Sequence, residues 1–427
     1  MKSVAPETPR PGASPAIDGE PEARAKPFPP RRNIGQAEVD AILSLMERAL
    51  AEGAMPGYDG AEESAYCQEF AAFMGGGYVD AVSSGTAALY AALKALDLEP
   101  FTEVIAPAVT DPGGMMPIPL LNLIPMVADT QPHSYNTGPG QVAALISPLT
   151  SAIVIAHIGG EPADIEPVVD LAHRRGVPVI EDCSQAHGST LHGRPVGTFG
   201  DIAVFSTMSG KHHSTGGQGG LVYTRIESLY EAVRRASDRG KPFFLPPGSS
   251  NVVASLNFNL SDLAAAIGRV QLRKLPGIVA RRQAIVARLA EGIAGLPTVS
   301  LPPPIPGAMP SYWFLRMRSA DPGKATCDRD TFCQALIAEG LPITPRYGGA
   351  LPHTQDWFTK RRVFGSSGYP WACPEYKGDR DRRFPCPNAQ ASIDVHFNLH
   401  LHENWSEADV DRAVAIFRKV DAAFRRG

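Results

Sequence analysis

Lys211 stands five residues past Ser206, in a polar, glycine-bearing stretch that follows the apolar run Ile202-Ala203-Val204-Phe205 and leads into Gly216-Gly217-Gln218-Gly219-Gly220. A lysine leaving a strand end beside a glycine-rich turn can reach a carbonyl and form an imine. One lysine by itself is more often a solvated surface charge. Asp182 closes the run Val177-Pro178-Val179-Ile180-Glu181. An acidic residue at the end of a buried strand sits where open α/β sheets bind ligands, and its carboxylate can face a buried cationic group; alone it could equally cap a helix or turn. A third group, Ser83-Ser84-Gly85-Thr86-Ala87-Ala88-Leu89, joins a Ser-Gly-Thr turn to an alanine-rich helix. Such a turn offers free N–H groups, two hydroxyls and the positive end of a helix dipole to an anion, although an ordinary capped helix has the same pattern. His212-His213 adjoin the lysine. Adjacent histidines point apart and no third ligand is placed by spacing, so no metal site is expected.

These residues need a scaffold. Short β-branched runs at Val104–Ala106, Pro125–Ala128, Ala152–Ala156, Val177–Ile180, Ile202–Phe205 and Gly220–Tyr223 alternate with helical stretches near Ser84–Leu96 and Ile165–Arg175. Runs apolar on both faces and separated by helices predict a mostly parallel sheet covered on both sides. Val39, Ile42, Leu43, Met46 and Leu50 predict an early helix with one apolar face, and a second helix is expected over Glu62–Met74. A long helical region opens at Ser261, with a kink or break expected at Pro276 and the pattern resuming over Ile278–Ile293. Ser406 is the expected N-cap of a last helix over Glu407–Val420. The division expected is a large α/β domain over 34–280 and a smaller one over 281–427. Eight prolines between Pro6 and Pro30 set residues 1–33 apart as a disordered tail.

Composition narrows the classes. Of 427 residues, 44% are hydrophobic and 20% charged, which describes a globular chain and excludes a fibrous one. A net charge of -4 leaves no basic excess for holding nucleic acid. No apolar stretch approaches a membrane span, and no secretory signal is evident. Cys67, Cys183, Cys327, Cys333, Cys373 and Cys386 lack any CxxC spacing and read as free thiols of a cytoplasmic protein.

Taken in order, an anion cup, an aspartate at a strand end, then a serine and a lysine resemble the pyridoxal phosphate (PLP) enzymes of the aspartate-aminotransferase fold, fold type I. More narrowly, the chain resembles the DegT/StrS family of sugar aminotransferases from about residue 34 to its end. The resemblance is carried by Ser84–Leu89, by Ala156-His157-Ile158-Gly159-Gly160-Glu161-Pro162-Ala163-Asp164, and by Ile180-Glu181-Asp182-Cys183-Ser184-Gln185-Ala186-His187-Gly188. Gly200–Ser206, Asn257-Phe258-Asn259, Ser261–Gly268 and Gln271-Leu272 extend it. It implies a large domain with a sheet of the seven-stranded type and a smaller α/β domain. It implies that Lys211 forms the imine with PLP and shuttles the proton, and that Asp182 pairs with the pyridine nitrogen. Gln185 would pack on the ring near O3′, while Gly85, Thr86 and Ser206 would bind the phosphate. Asn257 would reach the phosphate of a neighbouring subunit, making a homodimer part of the site.

The activity so implied moves an amino group from glutamate or glutamine to a keto group of a nucleotide-linked sugar or cyclitol. Three departures bear on the substrate. The loop after Val104 reads Ala108-Val109-Thr110-Asp111-Pro112-Gly113-Gly114, without the family's ring-stacking aromatic. Asn257-Phe258-Asn259 stands for Asn-x-Arg, and Gly217-Gln218-Gly219-Gly220 for Gly-Glu-Gly-Gly. Competing readings are a PLP-dependent sugar dehydratase or lyase and a non-catalytic PLP-fold binding protein. A nicotinamide enzyme is weaker, since no GxGxxG follows the first strand.

Overall fold

The computed structural model describes residues 27–319, 323–348 and 350–426. A seven-stranded sheet forms its centre. Its strands are β1 (Tyr78–Val82), β2 (Glu103–Pro107), β3 (Ile124–Ala128), β4 (Thr150–Ala156), β5 (Val179–Asp182), β6 (Ile202–Ser206) and β7 (Gly220–Thr224), in the order β1-β7-β6-β5-β4-β2-β3. Pairings from β6 through β3 are parallel; β7 runs antiparallel to both β6 and β1. Each of the six expected runs supplies a strand of this sheet, although Val177 and Pro178 precede β5. β1 was not among them, because Asp80 interrupts its apolar pattern. That carboxylate is buried and accepts hydrogen bonds from Arg234 Nη1 (2.6 Å) and Ser237 Oγ (2.5 Å).

Helices cover both faces. α1 (Gln36–Glu52) and α2 (Ala61–Phe73) pack along the long helix introduced below; α3 (Gly85–Ala95) follows β1, α4 (Ile165–His173) follows β4, and α5 (Glu227–Ser237) follows β7. α1 has the predicted helical span, but Val39, Leu43, Met46 and Leu50 on its apolar face are exposed in the single chain, while Leu45 is buried.

The expected break at Pro276 does not occur. α6 (Asp262–Ile293) runs 32 residues through it. An interior proline costs about 3 kcal/mol. Leu275, Ile278 and Val279 are buried around it, and each such side chain contributes about 1.5–3 kcal/mol, so packing outweighs the lost hydrogen bond. The boundary drawn at 280/281 falls inside this helix. Its first half, with Leu272, Leu275 and Val279, joins the core beneath α2; its second half, with Ile285, Val286, Leu289 and Ile293, joins another core.

That second core lies on an antiparallel sheet of β8 (Val299–Ser300), β9 (Leu315–Ser319), β10 (Ile343–Thr344) and β11 (His396–Leu399), ordered β8-β9-β11-β10. α7 (Arg329–Ala338) and α9 (Glu407–Phe424) cover it, the latter capped by Ser406 as expected. Between β10 and β11 the chain returns to the large sheet. Leu351, Trp371, Tyr376, Cys386 and the residues Ala389 and Ile393 of α8 (Pro387–Val395) join its cores.

The tail assignment is corrected in part. Residues 1–26 lie outside the described residues. Within residues 27–33, specific contacts tie the chain to the fold: Phe28 stacks on Trp405 with ring centroids 4.5 Å apart, His402 Nε2 lies 2.8 Å from the Pro29 carbonyl, and Arg31 is hydrogen-bonded within the fold. Among the described residues, no helix is long and apolar enough to cross a membrane.

Candidate active site

The carboxyl ends of β1, β2, β4, β5 and β6 open on one cleft of about 260 Å³. Open parallel sheets bind ligands in this position because their strand-to-helix turns converge there. Gly85, Thr86, Asp182, Gln185, Ser206 and Lys211 all line it. Asn257 does not. It is exposed, and its Oδ1 accepts hydrogen bonds from the backbone N–H (3.1 Å) and side-chain amide (2.7 Å) of Asn259.

The anion seat begins at α3. Ser84 is its N-cap, with Oγ accepting the Ala87 N–H at 3.0 Å. Gly85 and Thr86 occupy the first turn, whose N–H groups have no helical acceptor. Gly85 lies against β6 so closely that a Cβ there would stand 2.6 Å from Ser206 Cβ. Glycine is therefore required by space, and Ser206 Oγ is brought to the mouth of the helix.

Across the cleft, the loop after β2 brings Gly113 and Gly114 close against the cup. A Cβ on Gly113 would stand 2.3 Å from Thr86 Oγ1, and one on Gly114 2.5 Å from Thr110 Oγ1 and 3.3 Å from Asp182 Oδ2. Thr110 and Asp111 complete that wall.

Asp182 ends β5 opposite Ala156 of β4 and Val204 of β6, which places it at the carboxyl end of the central strand. Its Oδ1 accepts the Ser184 N–H at 3.0 Å. Gln185 is held at both ends of its amide: Oε1 accepts from Gly159 N (2.8 Å) and Nε2 donates to Tyr347 Oη (2.9 Å). Burial pushes the Tyr347 hydroxyl well above its ordinary pKa, so it stays neutral.

Lys211 is only 7% exposed. Burial lowers its amine to about 8, against the opposing pull of Asp182 and Asp111. Nζ lies 3.9 Å from the centroid of the Trp313 ring, and Trp313 Nε1 donates to the Gly210 carbonyl at 2.9 Å. Lys211, Gln185, Met208, Thr110 and Asp111 also border a second compartment of about 380 Å³, walled by Trp313, Phe314, Tyr347, Leu351, Asn398 and His400. Trp313 and Tyr347 were missed by sequence reasoning. Neither stands in a motif or at a spacing that ties it to Lys211 or Gln185.

The adjacent histidines turn away from the cleft. His213 Nε2 lies 2.5 Å from Tyr66 Oη, and His212 Nε2 lies 3.0 Å from the Ser311 carbonyl. A cluster of His157, Glu181 and Cys183 brings possible ligand atoms together. Two of the three are already engaged by hydrogen bonds: His157 Nδ1 accepts the Ala163 N–H, so Nε2–H donates to Glu181 Oε2 (3.0 Å), and Glu181 also accepts from Gly197, Phe199 and Gly200 N–H groups.

With this geometry established, comparison gives the family. Residues 39–418 match the model of the DegT/DnrJ/EryC1/StrS aminotransferase family. The chain belongs to this family. Solved structures agree with the assignment. The aminotransferase TlmJ from Streptoalloteichus hindustanus is 28% identical with a TM-score of 0.76, over 93% of this chain and 99% of that one. An aminotransferase from Psychrobacter cryohalolentis is 26% identical with a TM-score of 0.81, again over 93% and 99%. DesV from S. venezuelae, solved with a ketimine intermediate, is 25% identical with a TM-score of 0.76, over 92% and 98%. The protein is thus an aminotransferase of fold type I, and PLP is its family's cofactor.

Proposed function

We propose that this aminotransferase binds PLP in the cleft described and transfers an amino group from glutamate or glutamine to a keto group of a nucleotide-linked sugar or cyclitol. The observation that carries the reading is the convergence on one cleft of an anion seat, a strand-end carboxylate and a buried lysine. The residues fit the cofactor. Gly85, Thr86 and Ser206 would hold the phosphate, Asp182 would face the ring nitrogen, and Gln185, fixed by Gly159 and Tyr347, would lie on the ring. When bound, PLP supplies an electron sink for the carbon that gains or loses the amino group.

The protein's own groups do the rest. Lys211 carries a proton at Nζ and, with a pKa of about 8, can both release and accept it near neutral pH. The negative charge of Asp182 favours a protonated partner facing it. The compartment walled by Trp313, Phe314 and Tyr347 would receive the keto substrate and exclude water from the amine.

The shared site is part of the proposal. Asn257, exposed here, would reach the phosphate seat of a second copy, and the exposed apolar face of α1 is a surface that copy could cover. Six free cysteines support placing the enzyme in the cytoplasm. The deciding experiment incubates the protein with keto-sugar nucleotides or keto-cyclitols and with glutamate or glutamine, and reads the mass change. Product that requires the amino donor supports transamination; product without it points to a dehydratase. Retained turnover in Lys211→Ala would remove Lys211 from the mechanism.

A further inference from the structure

Three successive carbonyls of the lysine loop converge on one side chain 180 residues earlier in the sequence. Arg31 donates through Nη1 to Lys211 O (2.6 Å) and Gly210 O (3.3 Å), and through Nη2 to His212 O (2.8 Å). Its Nε donates to Glu403 Oε1 at 2.8 Å. The other oxygen of Glu403 accepts from Arg282 Nε at 2.9 Å, and Arg282, fully enclosed in α6, donates through Nη1 to Tyr312 O (2.7 Å) and Trp313 O (3.2 Å). One carboxylate therefore ties together the backbone that carries Lys211 and the backbone that carries Trp313, the ring beneath its amine. Burying two guanidinium groups against one carboxylate is favourable only where further acceptors are supplied, and the five carbonyls supply them.

The arginine is itself fixed. Phe28 stacks on Trp405, the Pro29 carbonyl meets His402 Nε2, and Arg32 N donates to Asn404 Oδ1 at 2.8 Å. Residues 28–32 thus lie along residues 402–405 as a strap behind the lysine loop. The charges that reach the Lys211 amine are those of Asp182 and Asp111. Arg31 acts on the loop's backbone.

We propose that Arg31 is a positioning residue. Through the Glu403–Arg282 bridge it holds the Lys211 loop in register with Trp313, so the N-terminal strap is a working part of the active site. The inference rests on the reading of Lys211 as the reactive amine. A planar guanidinium can span three carbonyls in a way an ammonium cannot, and misplacing a reacting group by about 1 Å can cost about 100-fold in rate.

The test compares PLP-loaded wild type, Arg31→Ala and Arg31→Lys. Amide hydrogen exchange over residues 209–213 should rise about tenfold or more in Arg31→Ala while exchange in β5 stays as in wild type, the signature of a local opening. Turnover should fall by about 10- to 100-fold with KM for the amino donor little changed. Arg31→Lys should restore the melting temperature but neither loop protection nor turnover. Unchanged exchange over 209–213, exchange raised uniformly through the fold, full rescue by lysine, or a loosened loop with wild-type turnover would each overturn the proposal. Should Arg31→Ala not fold, Glu403→Gln keeps Arg31 and removes its anchoring charge, and the same readouts apply. If Lys211→Ala stays active, the role of Lys211 has failed, and the exchange data still decide whether Arg31 orders the loop.

Discussion

The Lys211 amine lies 3.9 Å from the centre of the Trp313 indole, and the same indole donates its N–H to the carbonyl of Gly210, one residue before the lysine. The ring acts on the amine in opposite senses. Its face attracts the ammonium by about 0.5–2 kcal/mol, which raises the pKa, and its bulk keeps water away, which lowers it. Burial is the largest influence on Lys211, so desolvation wins. Trp313→Ala should therefore move the lysine up from about 8 toward its ordinary value. The measurement is the pH dependence of Lys211 acylation in cofactor-free protein, followed by mass spectrometry. A pKa that stays near 8 would show that the indole is not what keeps the amine dry.

The same burial has a consequence for stability. Between about pH 8 and 10.5 the unfolded chain holds the Lys211 proton and the folded chain does not. Stability from this group therefore rises with pH across that window, and below it the folded state bears the full cost of an enclosed ammonium. That cost is of the order of 3 kcal/mol. In cofactor-free protein, Lys211→Met should be more stable than wild type at pH 7, with the difference shrinking as pH approaches 10.5. Urea midpoints measured across this range check it; a difference independent of pH would assign the effect to packing alone.

Gly85 tests the anion seat by space. A methyl group there would stand 2.6 Å from Ser206 Cβ, so α3 and β6 must separate. Overpacking of this kind costs about 1–3 kcal/mol, and the first-turn N–H groups would shift away from Ser206 Oγ. Gly85→Ala should lower the melting temperature modestly and release PLP during dialysis, while Ala92→Gly, in the middle of the same helix, should cost about 1 kcal/mol and leave cofactor retention intact. Equal retention in both would place the phosphate elsewhere.

The strands that place these groups could be read from sequence because they are buried on both faces and so appear as unbroken apolar runs. β1 could not, since Asp80 sits within it and its partners Arg234 and Ser237 come from α5. Residues that border the cleft at a strand end, such as Asp182 and Ser206, announce themselves by where the apolar run stops. Trp313 and Tyr347 carry no such mark: they reach Lys211 and Gln185 only through the folding of a distant segment. Arg31 was hidden for another reason. Its proline-rich neighbourhood has the composition of a disordered tail, yet a few specific contacts to residues 402–405 order its last part.

Asp182 separates a chemical role from a structural one. Asp182→Asn preserves the shape of the side chain and an oxygen to accept the Ser184 N–H, now made at 3.0 Å to Oδ1. It removes the negative charge at the end of β5. If that charge holds the proton on the group facing it, turnover should fall by at least about 100-fold, roughly 2.7 kcal/mol of transition-state stabilisation. PLP should remain bound, because Gly85, Thr86 and Ser206 are untouched. A residue that merely caps the turn after β5 would show the reverse: a lower melting temperature with the activity of the folded molecules retained. Melting temperature, PLP occupancy and single-turnover rate of this one variant distinguish the two. A stable, PLP-loaded and fully active Asp182→Asn enzyme would mean that another residue faces the ring nitrogen.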